Sequence, residues 1–311
     1  MHLIEKAEED NLTIITEFIL LGFGNLPELQ LLLFLVFLVI YIVTMSGNIF
    51  IVSLVVADQH LHTPMYYFLG NLSCLETCYI STILPRLLAS LLTGDRTISV
   101  SGCFAQFYCF GSLAATECYL LAAISYDRYL VICKPLRYAA LMTGRLCIQL
   151  AVGSWISGFL TCVITMCFML QLTFCGPSEI DLFLCDFSPM LKLSHAGVMI
   201  TLVSFILVSI NAPCPFLLTV TSYVCIIATM LRIPSTTGRK KVFSTCSSHL
   251  IVITVFYGTL MTAYLLPKIN TLKALNKVFS VFYTVLTPML NPLIYSLRNK
   301  EVKEALRKVI R

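Results

Sequence analysis

Two adjacent residues of opposite charge stand out in a chain that otherwise avoids charge. Asp127 and Arg128 lie in SYDRYLVICKPLRY (125–138), directly after an apolar run that begins at Cys103. An arginine beside a carboxylate can be held by a local ion pair and released when a partner or a neighbouring helix offers a better contact. The alternative is a charge that only marks the end of a membrane span.

Two further acids, Glu76 and Glu117, interrupt apolar segments that read LSCLETCY and ATECYLL. Carboxylates in such segments are costly, so they usually face the interior of a helix bundle and are paired, protonated or close to a cation. Asn48, Ser73 and Asn291 are potential neighbours at a comparable depth. The acids indicate a cation site, a proton site or a switching network, with two protonated structural acids as the alternative.

Patterns typical of catalysis are missing from the sequence. It has no nucleophile–base set, zinc spacing or phosphate-binding glycine loop, and His60, His62, His195 and His249 lie without ligand spacing. A basic pattern interleaved with aromatic residues, which would indicate nucleic acid, is missing as well. We therefore expect neither an enzyme nor a nucleic-acid-binding protein.

The composition indicates a membrane protein. Of 311 residues, 58% are hydrophobic and 12% are charged, whereas about a quarter of a soluble domain is charged. This is more apolar surface than one soluble core needs, and a bilayer accommodates it. The first ten residues, MHLIEKAEED, are polar and acidic, so we expect no cleavable signal peptide.

Seven segments are long and apolar enough to cross a bilayer core of about 30 Å, which takes about 20 helical residues. They predict an all-α membrane protein, a seven-transmembrane helix bundle. The second and seventh segments mix small and polar residues into the apolar run, as helices that face protein on most sides do. We expect spans near 27–56, 58–83, 99–132, 146–170, 197–231, 242–266 and 275–297.

The distribution of basic residues sets the expected orientation. With the N-terminus outside, the inner loops and tail hold 14 of the 21 Lys and Arg residues and four acids. The outer segments hold the other seven basic residues and ten acids. Because inner loops of membrane proteins are enriched in Lys and Arg, this asymmetry predicts an outer N-terminus and an inner C-terminus.

Fourteen cysteines are present, and most lie within predicted spans, where cysteine behaves as a small apolar residue. Cys103 and Cys185 differ because both face the oxidising outer side, where a bridge would pin the outer loop over the bundle. Cys175 is also in or near this loop. The sequence leaves the connectivity open.

The two ends of the chain carry further signals. In the outer segment 1–26, Asn11 begins an N-x-T sequon, where glycosylation is expected. After the bundle at 27–297, the tail at 298–311 forms an apolar helical stripe, with Lys and Glu elsewhere. This pattern predicts a short amphipathic helix in the inner headgroup region, or else a frayed polar tail. The stripe consists of Val302, Ala305, Leu306, Val309 and Ile310.

Motifs recur along nearly the whole chain. They are Gly47-Asn48, LHTPMYYFL (61–69), SYDRYLVICKPLRY (125–138), SYVCII (222–227), KVFSTCSSHL (241–250), FYG (256–258) and PMLNPLIYSLRN (288–299). Together they resemble a rhodopsin-like G-protein-coupled receptor, and the stretches at 61–69 and 241–250 are hallmarks of the odorant receptors among them.

This resemblance implies roles for individual residues. It implies that Asp127, Arg128 and Tyr129 form the inner switch that opens toward the G protein, with Tyr223 and Tyr295 as its partners in the active state. Tyr257 would couple ligand contact to movement of the sixth helix. The family's main outer disulfide would join Cys103 to Cys185. The coupling contacts would include Arg239, Lys240 and Lys241.

The resemblance also implies a sodium site at Glu76 and Glu117 and no other cofactor, although many relatives carry Asp in place of Glu76. Many relatives have a further outer-loop cysteine where His195 stands here, so a second disulfide through Cys175 is not expected.

The expected ligand pocket lies in the outer half of the bundle, between the third, fifth, sixth and seventh helices. Its lining is mostly apolar, with a few hydroxyls and one amide, which suits a small neutral volatile ligand. The expected lining residues are Phe110, Gly111, Ala114, Ala115, Leu207, Val208, Asn211, Tyr257, Leu260, Met261, Tyr264, Val281 and Thr284.

The resemblance therefore implies an odorant receptor in the plasma membrane, with sensory cilia as its expected location. Its implied partners are an odorant, a stimulatory olfactory G protein that raises cAMP, the bilayer and a trafficking chaperone. A non-nasal chemosensor with the same fold is one alternative. A transporter or channel is another, which would predict internal repeats or broken helices around a conduction path.

Overall fold

The computed structural model describes residues 15–24, 27–172, 174, 178–193, 213–265, 273–298 and 302. Within these residues long helices dominate, and a π-helical turn at Phe282–Leu286 joins the last two. The helices are α1 Pro27–Ala57, α2 Pro64–Thr93, α3 Val100–Cys133, α4 Pro135–Leu141, α5 Gly144–Met169, α6 Phe187–Lys192, α7 Pro213–Arg232, α8 Thr236–Leu265, α9 Lys273–Val281 and α10 Thr287–Arg298. The strands are β1 Glu17–Leu20, β2 Thr97–Ser99 and β3 Glu179–Ile180.

The helices fit a bilayer by length and composition. Six described helical segments are long and apolar enough to cross a membrane. A seventh span results when Thr236–Ser244 and Cys246–Thr262 of α8, which meet at a bend of 46°, are counted as one. Apolar side chains of α1 such as Leu31 and Leu32 are exposed in the isolated chain, as expected for a lipid-facing helix. The expected seven-helix membrane fold is thus confirmed.

The bounds predicted for the second span, 58–83, were wrong. The helix begins at Pro64, whose missing N–H costs nothing in the first turn, and continues through Pro85 to Thr93. A proline inside a helix frees backbone carbonyls of the preceding turn, and neighbouring helices can satisfy them. Beside the proline, Gln106 Nε2 of α3 donates to the carbonyl of Thr82 at 3.3 Å, so a neighbouring helix contacts the backbone at this turn.

A small three-stranded sheet, which the all-α prediction did not include, lies at one end of the bundle. β1 pairs with β2 in antiparallel register and with β3 in parallel register. The strands have two to four residues each, so they lack the alternating pattern by which a longer strand is recognised. We call this the disulfide end, because it also carries Cys103–Cys185, and we call the opposite end the Arg128 end.

The helix α3 lies at the centre of the bundle and packs against α2, α5 and α7. Its residues are buried at intervals along most of its length, from Cys103 to Leu130. Gly158 of α5 lies directly against α3, where an added Cβ would come within 2.2 Å of Thr116 Oγ1 and 2.8 Å of the Ser112 carbonyl oxygen. Close helix contacts of this kind are typical of membrane bundles. The central helix thereby links both ends of the molecule.

The predicted tail helix and the sequon at Asn11 lie outside the described residues, apart from Val302. This residue is helical and buried against the Arg128 end of the bundle.

Candidate functional site

Asp127 and Arg128 form a closed ion pair at the Arg128 end. Arg128 Nη2 and Nε donate to Asp127 Oδ2 at 2.6 and 3.2 Å, and both side chains are buried. A buried ion pair is costly to break by removing one partner, because the other charge is then left without compensation. The two neighbours can therefore hold a resting arrangement until another contact replaces one of them.

Tyr138 of the short helix α4 completes this ion pair from outside. Its hydroxyl donates to Asp127 Oδ1 at 2.8 Å, so the two carboxylate oxygens are occupied by different partners. Burial, followed by the charge of Asp127, raises the pKa of Tyr138 above its ordinary value. The hydroxyl therefore keeps its proton and remains a donor at physiological pH. The sequence motif includes Tyr138, but nothing in the pattern indicated this contact.

A second polar contact joins α7 to α8 beside Arg128. Tyr223 and His249 share a hydrogen bond of 2.6 Å between the phenol oxygen and Nδ1, and both side chains are buried. Arg128 lies close enough to interact electrostatically with both residues. Tyr223 was expected near the switch, whereas His249 was read only as part of a motif. The only available signal was the position of His249 in the stretch KVFSTCSSHL (241–250).

The surface of the Arg128 end carries an exposed apolar residue among basic ones. Leu136 in α4 is 99% exposed, and none of the residues of α4 is buried. Lys134 lies 5.7 Å from the ring centroid of Tyr129, and Arg239 Nε donates to the carbonyl of Ile233 at 2.7 Å. Lys240 is exposed. The side chains of Lys241 and Tyr295 lie outside the description.

A polar core lies deeper in the bundle, between α1, α2, α3 and α10. Asn291 Nδ2 donates to Glu76 Oε1, and Asn48 Nδ2 donates to the carbonyl of Pro288 at 3.3 Å. Glu76 also interacts electrostatically with Glu117. Neither carboxyl oxygen of Glu117 has a hydrogen-bond partner among the described residues. The structure thus brings together acids and amides that lie far apart in the sequence.

This donor set is chemically suited to a hard monovalent cation. Carboxylate and amide oxygens are hard ligands, and Glu76 Oε2, both Glu117 oxygens, Asn48 Oδ1 and Asn291 Oδ1 are buried without a hydrogen-bond partner in the described chain. Buried polar atoms of this kind call for an explanation such as an ion or water. No described group of three or more His, Cys, Asp or Glu residues could hold a metal ion, so any cation would depend on the amides as well. Ser73 is buried one turn before Glu76.

The expected ligand-binding residues of α3 point in different directions. Phe110 packs against Tyr79 and Tyr283, with ring centroids 5.2 and 6.2 Å away. Gly111 faces α5, where an added Cβ would lie 3.1 Å from Cys162 Sγ. Ala114 packs on the buried cluster around Phe110, and Ala115 is half-buried.

Among those of the sixth and seventh spans, Tyr257 contacts both the third and the fifth. Its hydroxyl donates to the carbonyl of Cys118 at 3.3 Å, and its ring lies 5.0 Å from that of Phe216. Leu260 packs on the same cluster, while Met261 is exposed. Val281 is half-buried and Thr284 is buried, with its hydroxyl bonded to the carbonyl of Ser280. Outside the described residues or side chains lie Leu207, Val208, Asn211 and Tyr264.

Three links hold the disulfide end together. Cys103 at the start of α3 is bonded to Cys185, with Cα atoms 5.5 Å apart. Gln106 Oε1 accepts a hydrogen bond from the Cys185 N–H at 3.0 Å. Asp181 pairs with Lys277 of α9 at 2.6 Å. The loop between α5 and α6 is thereby tied to both α3 and α9, while Cys175 and His195 lie outside the described residues.

Comparison with known proteins places this arrangement in a family. A family model described as olfactory receptor matches residues 37–311. The chain is 51% identical to olfactory receptor 11L1 of Homo sapiens, over 98% of this chain and 95% of the relative. It is 48% identical to olfactory receptor 6B1 of Homo sapiens, over 97% of each.

A solved structure agrees with the fold. Squid rhodopsin matches with a TM-score of 0.70 over 92% of this chain and 86% of its own, at 16% identity. The sequence relatives, the family model and this fold lead to one conclusion. The chain belongs to the olfactory receptor family, whose members are multi-pass membrane receptors of the G-protein-coupled class and not enzymes.

Proposed function

We propose that this receptor binds small, mostly apolar volatile ligands in the half of the bundle nearer the disulfide and activates a stimulatory olfactory G protein, which raises cAMP. The observation that carries the proposal is the closed, buried Asp127–Arg128 pair, held by Tyr138 from α4. A closed pair at the base of the central helix is a two-state element that ligand can bias, provided that ligand binds the open arrangement more tightly.

The proposed orientation places the Arg128 end in the cytoplasm and the disulfide end outside. The excess of Lys and Arg at the Arg128 end supports it, and a disulfide at Cys103–Cys185 suits an oxidising exterior. The proposed location is the plasma membrane, with sensory cilia as the site of display and a trafficking chaperone assisting delivery. A chemosensor outside the nose would use the same machinery, and the tissue of expression distinguishes the two.

Ligand contacts are proposed around Tyr257, since this residue connects the disulfide half of α8 to the central helix. Its bond to Cys118 and its ring contact with Phe216 join α8 to α3 and α7. A ligand that displaces either contact would change the position of α8 relative to α3. The proposed lining includes the expected residues of α3, α8, α9 and the π-helical turn, together with Leu207, Val208, Asn211 and Tyr264.

The G protein is proposed to dock on the Arg128 end around Leu136. Leu136 is fully exposed on a helix with no buried residues, so water surrounds its side chain in the free protein. Burial of this side chain against a partner would stabilise the complex by about 2 kcal/mol. Arg137 follows Leu136 in α4, and Arg239 and Lys240 are exposed near the start of α8; these positive charges favour an acidic partner surface. Lys241, Tyr129 and Tyr295 are proposed to contribute to the same coupling step.

Sodium is proposed to occupy the polar core at Glu76 and Glu117. The buried carboxyl and amide oxygens without hydrogen-bond partners support this assignment. A cation there would hold α2, α3 and α10 together and so favour the resting arrangement. No other cofactor is required in this proposal.

The test is a cAMP response in cells that display the receptor, with a chemically broad odorant panel. An Arg128→Ala variant is compared with Arg145→Ala, which removes an exposed positive charge near the same end. We expect a ligand-dependent rise in wild type and in Arg145→Ala, and its loss in Arg128→Ala at equal surface display. A response that survives in Arg128→Ala would contradict the proposed switch.

A further inference from the structure

A short segment after β3 closes the disulfide end of the bundle. We call residues 181–185 the plug segment, because two of its side chains are buried among the helices. Phe183 and Leu184 pack in one apolar cluster with Phe110 and Tyr283. Phe110 is one of the residues proposed to contact ligand. A molecule that approaches Phe110 from the disulfide end therefore has the plug segment in its way.

One end of the plug segment is fixed by a covalent bond. Cys185 is joined to Cys103 at the start of α3. Two hydrogen bonds of the backbone accompany the disulfide. The Cys185 N–H donates to Gln106 Oε1 at 3.0 Å, and the Gly22 N–H donates to the Leu182 carbonyl at 3.1 Å. The disulfide stays in place when these bonds open, so the segment can swing about Cys185.

The other end of the plug segment is attached to α9 by two charged side chains. Asp181 Oδ1 pairs with Lys277 Nζ at 2.6 Å, with 45% of the Asp181 side chain and 21% of the Lys277 side chain exposed. Water competes for charges with this exposure, and salt screens them. An ion pair of this kind stabilises far less than a covalent bond does. The attachment to α9 is therefore the one that can open while the disulfide stays intact.

We infer that the ion pair between Asp181 and Lys277 is a latch, which holds the plug segment closed and limits how fast small molecules reach the region around Tyr257. This inference rests on the ligand site proposed there. A lid acts on access and release, and it need not contact the ligand. The latch is closed before a ligand enters and again after it has bound. Loosening it therefore speeds entry and exit by the same factor and leaves the dissociation constant unchanged.

The first experiment measures opening of the plug segment without any ligand. The purified full chain in phosphatidylcholine nanodiscs is transferred to deuterated water, and mass spectrometry follows exchange at the Cys185 and Gly22 amides. These amides exchange when their hydrogen bonds open. We expect Asp181→Asn and Lys277→Gln each to speed the exchange about threefold, the effect of one exposed ion pair. Exchange within α3 should stay at the wild-type rate.

A reversed pair tests whether the two charges act together. The double variant Asp181→Lys with Lys277→Asp restores the ion pair in the opposite sense, so its exchange should return to about the wild-type rate. Glu179→Gln is the control, because it removes an exposed acid two residues from Asp181, and its exchange should match wild type. Wild-type exchange in both single variants, or a double variant as fast as the single ones, would overturn the inference.

Ionic strength tests the latch in the unaltered protein. Choline chloride is raised from about 0.01 M to about 1 M, which shortens the Debye length from about 30 Å to about 3 Å. Choline is used so that the salt supplies no sodium to the polar core. Exchange in wild type should rise toward the rate of Lys277→Gln, which should not respond to the salt. An equal response in both proteins would contradict a latch made by this ion pair.

The second experiment measures access to the region around Tyr257. Cys118 is buried there, and its carbonyl accepts the Tyr257 hydroxyl. Methyl methanethiosulfonate is a small neutral reagent that transfers its methylthio group to a cysteine sulfur and releases methanesulfinic acid. We expect it to label Cys118 about threefold faster in Asp181→Asn and Lys277→Gln than in wild type. Labelling of Cys246, which is buried at the Arg128 end, should not change.

The two experiments separate the latch from the proposed receptor function. Labelling of Cys118 at the wild-type rate, in variants whose plug segment exchanges faster, would overturn control of access by the latch. Neither experiment requires a response to an odorant. A missing cAMP response would count against the proposed function alone, whereas unchanged exchange and labelling would count against the latch alone.

Discussion

Tyr138 donates a hydrogen bond of 2.8 Å to Asp127, from a helix of seven residues to the base of the central helix. Asp127 thereby has two partners, since its other carboxylate oxygen is paired with Arg128 at 2.6 Å. The short helix α4 is otherwise solvent-exposed. This one contact makes the ion pair sensitive to whatever binds α4, which is also where Leu136 is exposed.

Replacing Tyr138 by Phe should raise ligand-independent signalling. The variant keeps the ring and removes the bond to Asp127, which is worth about 1.5–3 kcal/mol because the acceptor is charged. Without this bond Asp127 is held less firmly in its resting position, which favours release of Arg128 from the ion pair. We therefore expect basal cAMP to increase several-fold at equal surface display. Tyr126→Phe is the control, because Tyr126 is partly exposed and stacks on Tyr129. Equal basal activity in wild type and Tyr138→Phe would argue against this role.

Replacing Leu136 by Ala should weaken coupling without changing ligand binding. The side chain is 99% exposed, so its removal should change the stability of the free receptor little. A complex in which a partner buries it should lose about 2 kcal/mol of binding free energy. We expect the concentration of purified G protein that gives a half-maximal response to rise by roughly tenfold or more. Leu141→Ala, at the other end of α4 and 40% exposed, should shift it less. Identical shifts for the two variants would place the docking contact elsewhere.

Replacing Gly158 by Ala should destabilise the receptor, while Gly153→Ala should not. Both glycines lie in α5, but a Cβ at Gly158 would collide with Thr116 and Ser112 of α3, whereas a Cβ at Gly153 would meet nothing within 4 Å. Overpacking costs about 1–3 kcal/mol, and alanine at an unobstructed helical position gains up to about 1 kcal/mol. Thermal melting of the purified receptor measures the difference. Gly158→Ala melting at or above wild type would contradict the observed contact.

Sodium should stabilise the resting receptor through Glu117. We expect the melting temperature to rise with NaCl and to stay unchanged with choline chloride at the same ionic strength. The rise should disappear in Glu117→Gln, because the amide cannot supply the negative charge. Glu179→Gln is the control, since Glu179 is exposed at the disulfide end. A sodium effect that persists in Glu117→Gln would place the ion elsewhere, and no sodium effect in wild type would favour the reading of Glu76 and Glu117 as protonated structural acids.

Local sequence signals determined most of the architecture. Runs of about 20 apolar residues predict spans because a bilayer of fixed thickness requires them. The position of Arg128 after such a run, and the resemblance of 61–69 and 241–250 to odorant receptors, identify the class from the sequence alone. These properties depend on neighbouring residues in the chain and not on distant ones.

Only the tertiary structure decided which polar groups meet. Asn291 and Glu76 are separated by 215 residues, and Tyr223 and His249 lie on different helices. The second span continues through Pro85 to Thr93, and at this turn Gln106 of another helix donates to the carbonyl of Thr82. The strand at 17–20 likewise forms by pairing with residues 97–99 and 179–180. Side-chain and backbone partners in a bundle are set by how helices rotate and pack against one another, which a pattern of neighbours along one chain does not encode.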